Sequence, residues 1–438
     1  MQAEGAAVSV GQAVSNKTYA YYVVAVLFLA YGVNVMDRSV LAVLLESIKH
    51  EFVVNDKMLG LLSGLAFALF YATLGIPIAA LADRTSRRSV LAACAALWSA
   101  ATALCGLAPN FWALVAARVG TAVGEAGGTP PSHALISDYF PLRERGFALS
   151  LYALGVPLGA MLGSGLGGWG NEVVGWRMTF ILVGVPGLLV ALLVRFTVRE
   201  PQRGQSDAVS AATAKGETPK LSEALRYLWG RPSFRHMAIA AGLHSMVWYS
   251  GSQLNASFLQ RSHHMTSGQA GFWLAIFSAT GAIGTLLGGY LGDRLSVRLD
   301  DRRWYMWVPA WATLAMLPFQ FTSYLADSLW VVVPSFILML ILGSMFFGPS
   351  FAMSQGLGTV RTRAVATSLT LFMQTLIGLG LGPLVAGAIS DYLHPTMGSD
   401  SLRYGLVAVG VINAWAAVHY FRSARTVRED LDLAITRP

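Results

Sequence analysis

Apolar segments recur along this chain at a length that a soluble core does not need. They lie near residues 19–45, 57–81, 89–108, 111–137, 146–170, 176–197, 234–260, 268–292, 304–325, 330–356, 364–390 and 402–422. About 20 apolar residues cross a hydrocarbon layer as a helix. In lipid, the backbone polar groups of such a segment must be paired within it. Twelve segments therefore specify an all-α membrane protein with twelve transmembrane helices and both termini on one side. Composition agrees: 12% of the 438 residues are charged and 55% are hydrophobic, against about 25% charged in soluble chains.

Basic residues gather in alternate loops. Arg84, Arg87 and Arg88 follow segment two, and Arg143 and Arg145 follow segment four. Arg199, Arg203, Lys215, Lys220, Arg226 and Arg231 follow segment six; Arg294, Arg298, Arg302 and Arg303 follow segment eight. Arg361 and Arg363 follow segment ten, and Arg422, Arg425 and Arg428 close the chain. The other side holds only Lys49, Lys57, Arg177, Arg261 and Arg403. The positive-inside rule then puts both termini in the cytoplasm of a multi-pass inner or plasma membrane protein. The net charge of +8 reflects this loop bias rather than a nucleic-acid face, so no nucleic acid is expected as partner. Cys94 and Cys105 fall on one helix, too far apart to bridge. No disulfide, metal or cofactor is expected. Residues 1–18 lack a basic start and a short apolar core, so no cleaved signal is expected.

Two loop patterns repeat. Ala79-x-x-x-Asp83-Arg84-x-Ser86-Arg87-Arg88 returns as Gly289-x-x-x-Asp293-Arg294-x-Ser296-x-Arg298. Arg143-x-Arg145-Gly146-x-Ala148-x-Ser150 returns as Arg361-x-Arg363-Ala364-x-Ala366-x-Ser368. Recurrence at nearly one offset predicts duplicated halves. The expected units are a tail (1–18), a six-helix bundle (19–198), a linker (199–233), a second six-helix bundle (234–423) and a second tail (424–438). Within the linker, Leu221 to Trp229 reads as an amphipathic helix on the membrane surface.

Four charges lie well inside the apolar segments, away from their ends: Asp37 and Arg38 in the first, Arg118 and Glu125 in the fourth. A charge at a helix centre costs roughly 2.5–3.5 kcal/mol on insertion unless it faces protein, water or a partner. Arg118 and Glu125 are close to two turns apart and share a face. Asp37 and Arg118 both lie about 10 Å below the surface opposite the termini, which predicts a pair between them. The planar fork of Arg bonds two oxygens of a phosphate or carboxylate, so Arg118 is also a candidate substrate ligand. Burial disfavours a charged Glu125 and a nearby Arg favours it. That balance suits proton coupling: protonation frees Arg118 for substrate, and deprotonation recaptures it. Asp37 is a candidate residue of the substrate site beside Arg118 and a second proton-coupling candidate. Arg38 points about 100° away from Asp37 and is a secondary substrate ligand. Tyr71, His133, His244, Trp248, Tyr249, Gln253 and Gln374 are candidates for the cavity wall, because polar groups in a membrane segment avoid lipid.

These motifs resemble the major facilitator superfamily of secondary transporters. The resemblance rests on the Asp83-to-Arg88 loop, its copy after segment eight, and the Arg118-to-Glu125 run. Ala79 and Ser86 stand where that motif usually has Gly. The resemblance implies the major facilitator fold. It also implies a latch at the cytoplasmic end, made by Asp83, Arg84, Arg87, Asp138 and Arg145 and by the copies Asp293 and Arg294. There an Asp would meet the positive N-terminus of a helix from the other half. Asn34-Val35-Met36-Asp37-Arg38, Gly60-Leu61-Leu62, Arg118 through Ala126, Asp138-x-Phe140 and Val198-Arg199-Glu200-Pro201 resemble the spinster family of lipid transporters. Segments five and eleven are rich in Gly, which predicts close helix contacts.

The expected function is therefore secondary transport, coupled to protons, of an amphiphilic, anionic, lipid-like molecule by alternating access. The expected partners are membrane lipids, that substrate and protons, with the chain a monomer. The alternatives are a proton-coupled carrier of organic anions or drugs, and a non-transporting receptor or scaffold. An enzyme is not expected: there is no nucleotide loop, zinc-binding His pair or nucleophile elbow.

Overall fold

The computed structural model describes residues 17–202, 221–358 and 362–436. The tail before residue 17, linker residues 203–220 and Arg361 lie outside these ranges. All twelve expected segments fall on helix. Span 1 is Lys17–Phe52. Span 2 joins Asp56–Gly60, Leu61–Leu65 and Ala66–Arg84, and span 3 is Arg87–Gly106. Span 4 joins Phe111–Ala126 and Thr129–Tyr139. Spans 5 and 6 run through Leu142–Ala153 and Gly155–Thr197, parting at Gly175, whose φ of 79° a side chain would resist. Leu221–Trp229 is helical, as its pattern predicts. Span 7 is Pro232–Ser262, span 8 Ser267–Arg298 and span 9 Trp304–Leu325. Span 10 joins Leu329–Ser344 and Phe347–Leu357. Span 11 joins Arg363–Met373, Gln374–Leu381 and Gly382–Met397; span 12 joins Ser401–Gly410 and Ile412–Thr436.

The spans form two six-helix halves. Span 1 packs along spans 5 and 6 in the first, and span 7 along span 12 in the second. The start of span 1 at Lys17 and the close of span 12 at Thr436 lie at one end. There Tyr19 donates to the Thr197 carbonyl (2.8 Å), and Arg428 pairs with Asp301 (2.8 Å) in the turn after span 8. Arg303 beside Asp301 holds that carboxyl down at about 2. The tie to the last helix therefore does not titrate near neutral pH.

The glycines of span 5 act as the sequence predicts. A Cβ at Gly163 would lie 2.5 Å from the Met36 carbonyl oxygen of span 1. Helices in lipid associate through such close backbone contact. Spans 2 and 11 meet across the halves where both widen into π turns, Leu61–Leu65 and Gln374–Leu381. A Cβ at Gly64 would lie 2.5 Å from the Leu379 carbonyl oxygen, and backbone cannot yield as a side chain does. Gly64→Leu is expected to part the halves at the end opposite the termini. Overpacking costs about 1–3 kcal/mol, enough for a roughly tenfold population change. Spin labels at His50→Cys and Trp330→Cys, one exposed site in each half, would read it as a longer distance.

Candidate functional site

Three helices of the first half converge on the buried charges. Asp37, Arg118 and Glu125 are 0%, 3% and 1% exposed. The expected pair of Asp37 with Arg118 is not formed. Asp37 instead accepts a hydrogen bond from Thr102 of span 3 (2.8 Å). Asp37 therefore turns to span 3 and makes no ion pair with Arg118 or Arg38 among the described residues. The ion pair that does form joins Arg38 Nε to Glu125, and Arg38 also reaches Asn34 (3.4 Å). Counting residues along a helix fixes depth but not azimuth. Arg38, one residue past Asp37, faces span 4 while Asp37 faces span 3. Side chains also lean toward the N-terminus of their own helix. Arg38 therefore reaches back from the level of Arg118 to the deeper Glu125.

Arg118 makes no ion pair among the described residues. It donates to Thr121 Oγ1 (3.2 Å), and its guanidinium stands 4.8 Å from the Phe67 ring centre. Arg38 is likewise 4.8 Å from that ring and 4.8 Å from Tyr71. Two cations thus share one aromatic face system, which attracts them through its quadrupole. Among the described residues, Asp37 Oδ1, Glu125 Oε1, Arg118 Nε and Asn34 Nδ2 are buried without a hydrogen bond. An unpaired buried polar atom costs about 1–3 kcal/mol, so this cluster has unused capacity to bind polar atoms.

The aromatic face leads to the second half. Phe67, Ala68, Ala122 and Leu379 form one buried cluster, flanked by Tyr71 and Tyr249. Tyr71 stacks on Phe67 at 5.5 Å. Trp248 and Tyr249 are half-buried, and His133 is exposed with its ring edge against Tyr152. Gln374 opens the π turn of span 11. Gln253 Oε1 and Gln374 Nε2 are buried without hydrogen bonds among the described residues. His244 is a correction. It is 1% exposed, with Nε2 at 2.7 Å from the Gly343 carbonyl and Nδ1 at 3.2 Å from Thr313. Both ring nitrogens are occupied, so His244 ties spans 9 and 10 to span 7 and does not line the cavity.

At the terminal end, the loop charges serve the first half. Arg87 pairs with Asp138 and with Asp83 (3.4 Å). Arg145 donates to the Ser137 carbonyl (2.8 Å). Arg84 is exposed, and the Asp83 side chain is 68% exposed. Among the described residues it caps no helix of the other half in this conformation. Glu200 instead caps span 3, accepting from Arg87 N (2.9 Å), Arg88 N (2.8 Å) and Ser86 Oγ (2.7 Å). In the second half Asp293 accepts from Tyr305 (2.5 Å), and Arg294 meets Tyr290.

The cross-half hydrogen bonds among the described residues gather at the opposite end, in a clasp the sequence did not announce. Arg261 of span 7 bonds Glu46 (2.6 and 2.9 Å) and Asp56 (2.7 Å twice). Lys49 and Ser390 also bond Asp56, each at 2.6 Å. Asp391 of span 11 accepts the backbone N–H groups of Asp56 and Lys57, both at 2.8 Å. It caps the N-terminus of span 2. This is the device expected of Asp83, realised at the other end. A signal was present: Gly387-x-x-x-Asp391 has the spacing of Ala79-x-x-x-Asp83.

Two helical halves, a buried charge cluster where they meet and a clasp at one end define a membrane transporter. The family model described as Major Facilitator Superfamily matches residues 27–376 and 237–434. The chain belongs to the Major Facilitator Superfamily, and within it is spinster-like. An "MFS-type efflux pump" of Mycolicibacterium smegmatis is 31% identical over 94% of each chain. A probable L-galactonate transporter of Escherichia coli is 26% identical, over 90% of this chain and 87% of that one. Protein spinster homolog 1 of Homo sapiens is 27% identical, over 93% of this chain and 81% of that one. Among solved structures, the chain matches a bacterial homolog to the human lysosomal transporter Spinster in an inward-facing, unoccupied conformation. Identity is 33% and TM-score 0.86, over 94% of this chain and 98% of that one. The occupied form of that protein gives a TM-score of 0.82.

Proposed function

We propose that this chain is a proton-coupled secondary transporter of an amphiphilic anion, with its terminal end cytoplasmic and that end open in the conformation described. Arg118, Arg38, Tyr71, His133, Trp248, Tyr249, Gln253 and Gln374 are the substrate contacts, and Glu125 carries the coupling proton, with Asp37 as the competing site. The observation that carries the reading is Arg118: a buried guanidinium with no carboxylate partner among the described residues, beside an ion pair that a proton can break. Its surroundings across the halves are aromatic and apolar, which suits a tail more than a sugar. The bacterial homolog of the lysosomal transporter Spinster supports transport itself; the lipid-like substrate is what the spinster resemblance implies.

A second reading is transport of small organic acids, which the L-galactonate relative favours. Competition decides between them. Purified protein in vesicles should take up a fluorescent lysophospholipid under a pH gradient; unlabelled lysolipid should compete and a sugar acid should not. The opposite ranking would establish the second reading. Arg118→Gln is expected to weaken lysolipid binding about 10- to 100-fold. That follows from about 1.5–3 kcal/mol for hydrogen bonds to a charged group. A binding titration in detergent measures it.

A further inference from the structure

A second binding place lies on the outer flank of the molecule, between spans 5 and 8 near the clasp. It is a groove of about 590 Å³, open to the side. Trp169 and Glu172 of span 5 form one wall, and Gln269, Phe272 and Trp273 of span 8 the other. Trp169 is 60% exposed and Phe272 59%. The groove runs along spans 5 and 8. Glu172 stands three residues before the turn at Gly175, at the membrane surface. Gly165 at the other end is about 10 Å deeper, by helical rise. Its rim is therefore at head-group level and its floor among acyl chains.

We propose that this groove holds one bilayer phospholipid with an ammonium head group, and that the bound lipid favours the conformation with this end closed. The head-group chemistry follows from the lining. Glu172 Oε1 accepts the Gly268 N–H (2.8 Å), which fixes the carboxylate at the rim. Oε2 makes no hydrogen bond among the described residues and can accept from an ammonium. Tryptophan faces beside a carboxylate are the surroundings that bind organic ammonium groups. No Lys or Arg is among the described residues that line the groove, so a lipid with only an anionic head meets like charge. The same absence separates this place from the Arg118 site.

The dependence on conformation follows from ownership of the walls. One belongs to each half, and the halves touch beneath them. Ser267 Oγ donates to the Gly168 carbonyl (3.1 Å), and a Cβ at Gly168 would strike the Ser267 backbone. When the halves part at this end, the groove splits. A ligand that binds one state alone shifts the balance toward it. This second step rests on the alternating-access reading above; the binding step does not.

The test has two arms on the full-length protein. Native mass spectrometry would compare wild type, Glu172→Gln and Trp169→Leu after incubation with phosphatidylethanolamine or phosphatidylglycerol. Glu172→Gln keeps an acceptor for Gly268 and removes the charge; both side chains are surface-exposed. Wild type should retain about threefold more phosphatidylethanolamine than either variant, a ratio within what one exposed ion contact or one cation–π contact supplies. Phosphatidylglycerol retention should be equal in all three. Equal phosphatidylethanolamine retention would overturn the site. The second arm measures the His50→Cys to Trp330→Cys distance in phosphatidylglycerol vesicles with and without phosphatidylethanolamine. Added phosphatidylethanolamine should shorten the distance in wild type and leave both variants unchanged. An equal response in all three, or none in wild type, would overturn the coupling to conformation. Transport of lysolipid is scored separately, so failure of the function leaves the binding result standing.

Discussion

Arg261→Ala is expected to open the clasped end and to reduce transport at least tenfold. Arg261 sits among two carboxylates of the other half, its side chain 11% exposed against 9% for Glu46 and 3% for Asp56. Removing one partner of a buried pair costs about 3–5 kcal/mol, because the remaining charge is stranded. Lys49 still serves Asp56 at 2.6 Å, so the penalty concentrates on Glu46. That penalty exists only where the halves touch, in the clasped state. A difference of 3 kcal/mol changes a two-state balance by roughly a hundredfold. The label pair at residues 50 and 330 should then report a longer distance, and the transport cycle should stall for want of a stable closed state. Arg261→Lys keeps the charge but loses the fork that bonds both carboxylates, and should fall between. Adding Glu46→Gln to Arg261→Ala removes the stranded charge and should restore part of the loss. An unchanged distance in Arg261→Ala would show that the clasp is decoration and that the small-residue contacts alone hold this end.

The clasp also shows what hydropathy can and cannot read. The first segment ends at residue 45 by composition, yet span 1 continues as helix to Phe52. Glu46 and Lys49 look like the start of a loop because hydropathy records what faces lipid. Here they face the other half of the protein. Arg261 pairs with residues 205 and 215 positions away, and no local pattern links them. Segment positions, the duplicated halves and the close glycine contacts were legible because each is a property of one helix or of a repeat. The Arg38–Glu125 pair was not, since partner choice depends on how three helices are rotated about their axes. His244 failed for a related reason: a polar residue that avoids lipid has two refuges, a cavity or a neighbouring helix, and its own sequence does not distinguish them.

Glu125→Gln is expected to abolish accumulation driven by a pH gradient while leaving substrate exchange intact. In the state described, the Glu125 carboxylate holds Arg38. Arg38 and Arg118 stand at the same 4.8 Å from Phe67. Protonating Glu125 releases Arg38, so two guanidiniums face an incoming anionic head group. Deprotonation takes one back and weakens the hold. Gln is close to Glu in shape but cannot make that change. A gradient of one pH unit stores 1.36 kcal/mol per proton. The wild type can thus accumulate substrate about tenfold per coupled proton, and the variant should stop near equality. Exchange needs only the substrate contacts and the two conformations, so it should persist. Asp37 supplies the control. It is as buried as Glu125, has an oxygen without a hydrogen bond among the described residues, and bonds Thr102. It does not bond an arginine of the substrate face, so its proton has no direct lever on binding. Asp37→Asn should therefore lower the rate yet keep gradient-driven accumulation. If Asp37→Asn loses the drive and Glu125→Gln keeps it, the coupling proton travels through span 3 instead, and the Arg38–Glu125 pair is structural.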